Sequence, residues 1–305
     1  MSPRYLAQPG PPLEPRVIGL AGRVRPPLAL VLEPGLSLLD AVARPLRAAG
    51  IGSAVLTLEG GGFGPFAYVL PAASPDAEHA AWYSATHAPA GGARLERGCI
   101  TFGLRSGRPW LHCHGVWQEA ADRRGGHVLP EESRVAAPIR ARAWGLDGMG
   151  FAVDADPETN FALFGPIAQP NTLAQPSTLA QPSPVPRPDP VPQPGNTGGN
   201  RAVAVRVRPN EDLPMALEAA CAAQGFARAV LRGGLGSLVG ARFTDGGRVA
   251  DAATEFLVTG GEVGPAGARV AVALVGLDGR VAEGVLRRGD NPVCITFEGV
   301  LEEQG

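Results

Sequence analysis

No lysine occurs in the 305 residues, and all 27 basic residues are arginine. That absence excludes a Schiff-base lysine and the lysine of a phosphate-binding P-loop. Cysteine is scarce as well: Cys99, Cys113, Cys221 and Cys294 stand far apart, with no CxxC pair, in apolar runs where a free thiol serves as a small hydrophobe. This usage points to a reducing compartment. The opening MSPRYLAQPGPPLEPR has no apolar signal-peptide core, and no run approaches the roughly 18 apolar residues of a membrane span, so a soluble, cytoplasmic protein is expected. An excess of either charge is also missing, the formal net charge being -2 with 11 Arg against 13 Asp plus Glu in residues 201–305. Neither half has the basic excess that holds phosphate backbones or anionic lipid, so nucleic acid and membranes are not expected partners.

Apolar residues make up 45% and charged residues 18% of the chain, enough for packed cores, and the length suits two domains. Gly 42 and Pro 31 together are about a quarter of the residues and concentrate in recognisable places. In residues 165–200 LAQPS recurs at a six-residue interval and proline then takes every second position, which predicts a polyproline II spacer ending in a Gly-Asn hinge. Residues 1–15, with five prolines, read as a disordered lead-in. The flanking segments are related: EPGLSLLDAVARPLRAAGIGSAVL (33–56) aligns without a gap on RPNEDLPMALEAACAAQGFARAVL (208–231), and both run into glycine-rich stretches. A duplicated unit follows, with boundaries at 16–164 and 201–305.

Each repeat predicts the same order. A strand (Leu28–Leu32; Val203–Val207) leads to a helix capped by Ser37 or Asp212, with an apolar face at Leu38, Val42, Leu46 and Ala49, or at Leu213, Leu217 and Cys221. Gly50 and Gly225 supply the left-handed stop. Strands are expected at Ala54–Leu58, Phe66–Leu70, Cys99–Leu104, Leu111–Trp117 and Val135–Trp144, with counterparts through Val300. One helix followed by four or five strands predicts an α+β fold of two tandem repeats, each a mostly antiparallel curved sheet carrying one main helix on its face.

All five histidines fall in the first repeat. In WLHCHGVW, His112 and His114 point to one face of a strand about 6–7 Å apart. With Gln118–Gly125 as the connection, the returning strand sets His127 opposite His114 or one place away. Three converging neutral imidazoles with a fourth position open suit zinc or a similar divalent ion. The alternative is that they line a groove or hold hydrogen bonds.

HCHGVW followed after a turn by GGHVL resembles the signature of the PPC domain, named for plants and prokaryotes conserved, over roughly 16–150 and more weakly over 201–303. The resemblance implies a strongly curved α+β domain that assembles as a trimer. In plants such domains accompany AT-hook segments of DNA-binding proteins. The fold is also similar to that of acetolactate decarboxylase, whose zinc is held by three histidines. In the second repeat the resemblance puts Val272, Leu274 and Val285 in place of the histidines, so that repeat would hold no metal. The family's acidic strand residue is matched by Glu298, whereas the first repeat has Arg140 there, to oppose a cation, to receive a carboxylate substrate, or as a solvated strand residue.

Other motifs carry less. RSGRPW (105–110) has only the GRP fragment of an AT-hook, and the glycine runs follow rather than open a helix, against nucleotide binding. Glu59 and Glu96 are candidate supporting or general-base carboxylates, or simply exposed acids. The long 71–95 segment, with Trp82, Tyr83 and His87, is a lid or a surface excursion. The chain therefore reads as a PPC-like protein with a three-histidine divalent-metal site in its first repeat, binding or acting on a small carboxylate-bearing molecule and forming a homo-oligomer, most simply a trimer. The alternative is a regulatory interaction module, DNA-associated, with a structural or vestigial metal site. Glu298 either serves the first repeat's site, the two repeats then sharing one working centre, or is what remains in a spare repeat that has decayed independently.

Overall fold

The structure, a computed structural model, describes residues 4–169 and 199–305, so the polyproline reading of the spacer lies outside the described residues. The first half comprises β1 (Val17–Val24), β2 (Leu28–Leu32), α1 (Leu38–Ala48), β3 (Ala54–Glu59), β4 (Gly62–Phe63), β5 (Tyr68–Val69), β6 (Pro71–Ala72), β7 (Trp82–Tyr83), β8 (Ala93–Arg105), β9 (Arg108–Glu119), β10 (Asp122–Val128), β11 (Val135–Ala137), β12 (Ile139–Asp147), β13 (Met149–Ala155) and β14 (Ala162–Ala168). The second comprises β15 (Asn200–Val207), α2 (Leu213–Gln224), β16 (Ala229–Leu238), β17 (Ala241–Arg242), β18 (Arg248–Val249), β19 (Thr254–Gly264), β20 (Gly267–Val275), β21 (Val281–Val285) and β22 (Val293–Glu303).

The helices start where their caps dictate. Asp40 N–H donates to the Ser37 hydroxyl and Met215 N–H to the Asp212 carboxylate, each at 3.1 Å. Gly50 and Gly225 follow with φ of 64° and 68°, conformations that a side chain strains. Strand pairing then repeats itself: the antiparallel order β2, β12, β3, β8, β9, β10 in the first half matches β15, β22, β16, β19, β20, β21 in the second. The fold is α+β, with two such sheets.

Each helix buries its apolar face on one side of its own sheet: Leu38, Val42 and Leu46 in one core, and Leu213, Leu217 and Cys221 in the other. The remaining sheet faces pack on each other. Cys99 and Val116 meet Leu235, Leu257 and Ala273, while Val55, Trp144 and Phe151 meet Ala202, Ala204 and Val300. Gly233 permits this approach, since a Cβ there would stand 3.3 Å from the Val55 Cβ and 3.4 Å from the Cys99 sulfur. Strand β1 joins the halves further by pairing with β15 along its whole length, from Val17 opposite Val207 to Val24 opposite Asn200.

Two expected boundaries move. The described part of the lead-in is ordered against the second half: Leu6 and Asn210 exchange hydrogen bonds of 2.9 and 3.0 Å, and Gln8 donates to the Cys294 carbonyl at 2.9 Å. Its prolines keep it extended while Leu6 and Gln8 find backbone and side-chain partners in the second half. The segment assigned to the spacer from 165 instead begins inside β14, which pairs with β13 from Ala168 opposite Met149 to Ala162 opposite Ala155. Pro166 is tolerated because β14 is paired on one side only among the described residues.

Candidate metal centre

A two-residue turn at Ala120 and Ala121 joins β9 to β10, shorter than the expected connection because pairing continues to Glu119 opposite Asp122. His127 consequently lies directly opposite His114. The three imidazoles of His112, His114 and His127 each bring a nitrogen into a group within 4.8 Å of one another. Their sheet face is the one covered by the second half, which supplies their partners.

His112 Nδ1 bonds the Glu298 carboxyl, and its Nε2 lies 3.0 Å from His114 Nε2. His114 Nδ1–H donates to the Phe256 carbonyl at 2.8 Å, which fixes that ring's tautomer and leaves its Nε2 lone pair facing the cluster. Burial dominates the protonation states. It holds His112 well below the usual imidazole range, holds His114 down to about 3, and pushes the Glu298 carboxyl up to about 8. Without an ion, the proton chain is complete: Glu298 O–H donates to His112 Nδ1, His112 Nε2–H to His114 Nε2, and His114 Nδ1–H to the Phe256 carbonyl.

Other atoms at the site are left over. Among the described residues, His127 Nδ1, Glu255 Oε2, Glu298 Oε2 and Thr296 Oγ1 are buried without a hydrogen-bond partner. Glu255 Oε1 is 3.8 Å from His114 Nε2 and 3.7 Å from His127 Nδ1. Buried polar atoms in such numbers need a partner, and a cation among imidazole nitrogens and carboxylates is the partner this donor set fits.

The sequence candidates divide sharply. Glu298 is fully buried beside His112. Arg140 does occupy the place corresponding to Glu298, since it pairs with Val31 as Glu298 pairs with Arg206, but it is 70% exposed and 3.6 Å from Glu59, itself 74% exposed. That end of the first sheet extends past the second half, so neither residue reaches the histidines. Glu96 is also placed elsewhere: it bonds Arg123 at 2.7 Å, and that arginine holds its carboxyl down to about 2.

The replacement residues need correction too. Counted from the turns closing the two equivalent hairpins, Arg105 opposite Arg108 and Gly264 opposite Gly267, Ala271 and Ala273 stand where His112 and His114 do, and Glu283 lies opposite Ala273. Val272 and Leu274 point into the helix-side core. The lid candidate is partly realised: Tyr83 packs edge-on against His127 with ring centroids 5.3 Å apart, whereas His87 stacks on Tyr68. Glu255 and the Phe256 carbonyl carried no signal in the sequence, because only the packing of the two halves brings them here.

A cleft opens onto the cluster, lined by Tyr83, His112, His127 and Glu298 together with Trp110, Leu129, Val153, Phe164 and Arg105. Arg105 is held over the Trp110 ring, 5.0 Å from its centroid.

No protein-family model matches the chain, and no curated protein matches it. Solved structures give likenesses. The chain is similar to the metal-containing protein AF0104 from Archaeoglobus fulgidus, at 17% identity and a TM-score of 0.39 over 47% of this chain and 95% of that one. It is similar to a plant- and prokaryote-conserved (PPC) protein from Pyrococcus horikoshii, at 15% identity and a TM-score of 0.39 over 48% and 96% of the two chains. A protein of Ralstonia eutropha proposed to bind DNA gives 18% identity and a TM-score of 0.32 over 45% and 89%. No helix among the described residues is long and apolar enough to cross a membrane.

Proposed function

We propose that His112, His114 and His127 hold one divalent ion, most simply zinc, and that the chain binds or acts on a small carboxylate-bearing molecule entering through the adjoining cleft. The observation that carries this reading is the 3.0 Å approach of the His112 and His114 Nε2 atoms, with both Nδ1 atoms already committed to oxygen partners. Such second partners orient imidazoles for metal binding. The bound ion would supply a Lewis acid for a carboxylate or carbonyl oxygen. Glu298 orients His112 and takes up or gives back its proton, the Phe256 carbonyl orients His114, and Tyr83 shields His127 from solvent. Arg105 offers the cleft a cation for an anionic ligand, the part assigned to Arg140 on sequence grounds. A cytoplasmic location and assembly as a homo-oligomer, most simply a trimer, belong to the same proposal.

The test is elemental analysis of protein purified without an affinity tag, followed by a binding screen of small organic acids on the metal-loaded form. About one ion per chain and metal-dependent binding of an acid are expected. Metal-independent binding of duplex DNA at physiological salt would favour the interaction module instead.

A further inference from the structure

Glu255 is a buried acidic side chain of the second half that accepts no hydrogen bond at Oε2 and makes no close ion pair among the described residues. It lies on β19, its side chain 8% exposed, with Oε2 lacking any partner among the described residues. Glu255 Oε1 faces two imidazole nitrogens at 3.8 and 3.7 Å, one of which, His127 Nδ1, is equally without a partner. These separations are too long for a hydrogen bond, which needs about 2.7–3.2 Å between nitrogen and oxygen. They are the separations that two donors keep when both bond one ion at roughly 2.0–2.2 Å with an angle somewhat wider than tetrahedral.

We propose that Glu255 is the fourth protein ligand of the ion held by His112, His114 and His127, contributed by the half that has lost its own histidines. The inference rests on the metal-centre reading above. The local chain supports it: the next residue, Phe256, provides the carbonyl that orients His114, so one stretch of β19 both positions a ligand ring and presents a carboxylate towards His114 and His127. No arginine pairs with Glu255 among the described residues, and its Oε2 stays without a partner. A buried carboxylate left without a cation would be costly, and an ion on its Oε1 would remove that cost while completing His127.

Full-length wild type, Glu255→Gln and Glu255→Ala are compared for zinc(II) affinity by chelator competition and for the visible absorption of the cobalt(II)-loaded protein. Gln preserves shape, so a loss in that variant is not a packing defect; circular dichroism checks folding. Loss of an outer partner of a metal ligand costs about 10–100-fold in affinity, and loss of a direct ligand should cost no less. Both variants should therefore bind zinc at least ~10-fold more weakly, with an altered cobalt spectrum that added acetate restores in Glu255→Ala. Unchanged affinity and spectrum in both variants would overturn the assignment while leaving the three-histidine centre intact. A wild type that takes up neither ion would overturn both.

Discussion

His112 Nδ1 and the Glu298 carboxyl bond each other across the boundary between the halves, although 186 residues separate them in the chain. Substituting Glu298→Gln keeps the shape but removes the group that takes the proton when His112 Nε2 must present a lone pair. Metal affinity should fall by about 10–100-fold, the usual effect of losing such a supporting carboxylate, as measured by chelator competition. Equal affinity in the variant would mean that His112 needs no carboxylate partner.

Protons should accompany the metal. With the Glu298 carboxyl at about 8, it is mostly protonated at pH 7, and ligation by both Nε2 atoms leaves one proton too many in the chain to Phe256. Calorimetry in two buffers of different ionisation enthalpy should report about one proton released per ion bound at pH 7.

The same groups set the pH profile of the metal-free protein. The raised carboxyl of Glu298 favours the folded state fully below its unfolded value, and this contribution is lost as pH rises through about 8. The lowered imidazoles of His112 and His114 act oppositely: their contribution is full above 6.5 and is lost as pH falls. Melting temperature should therefore peak near pH 6.5, about the ordinary histidine value, and Glu298→Gln should flatten the decline on the alkaline side. A metal-free wild type equally stable at pH 6.5 and pH 8 would refute this.

The double variant His112→Ala/His114→Ala should remain folded and lose about one ion per chain. Alanine is what the second repeat carries at both equivalent positions, Ala271 and Ala273, so the strand geometry accommodates it. Undiminished metal content would remove the site.

Much of this was legible in the sequence. The duplication, both helix caps and the His127–His114 register follow from spacing and local chemistry, which act over a few residues. The parts that were not legible depend on how one sheet face meets the other. Arg140 and Glu298 hold corresponding places in the two repeats, yet one lies in solvent and the other at the site, because the faces pack with an offset. Glu255 is missed for the same reason. The resemblance puts Val272 in the place of His112, whereas strand parity turns it into the core. The lead-in looked disordered because proline content says nothing about a surface waiting elsewhere in the chain.

That surface changes what cutting the spacer should do. Separable halves are the expectation for a flexible linker, but β1 and β15 pair along eight positions and the sheet faces bury a common core. Protease cleavage between residues 170 and 198 should give two fragments that co-elute under native conditions and part only in denaturant. Separation without denaturant would show that the docking of the halves is weak.

The pairing of β1 with β15 also bears on how the protein is made. Strand β1 leaves the ribosome ahead of a partner synthesised roughly 180 residues later, which at about 5–20 residues per second is on the order of 10–40 s. During that interval Val17–Val24 is an apolar strand with a free edge, a segment open to mispairing with other nascent chains. Emergence of Asn200–Val207 ends the exposure, so correct pairing of β1 depends on that strand following without delay.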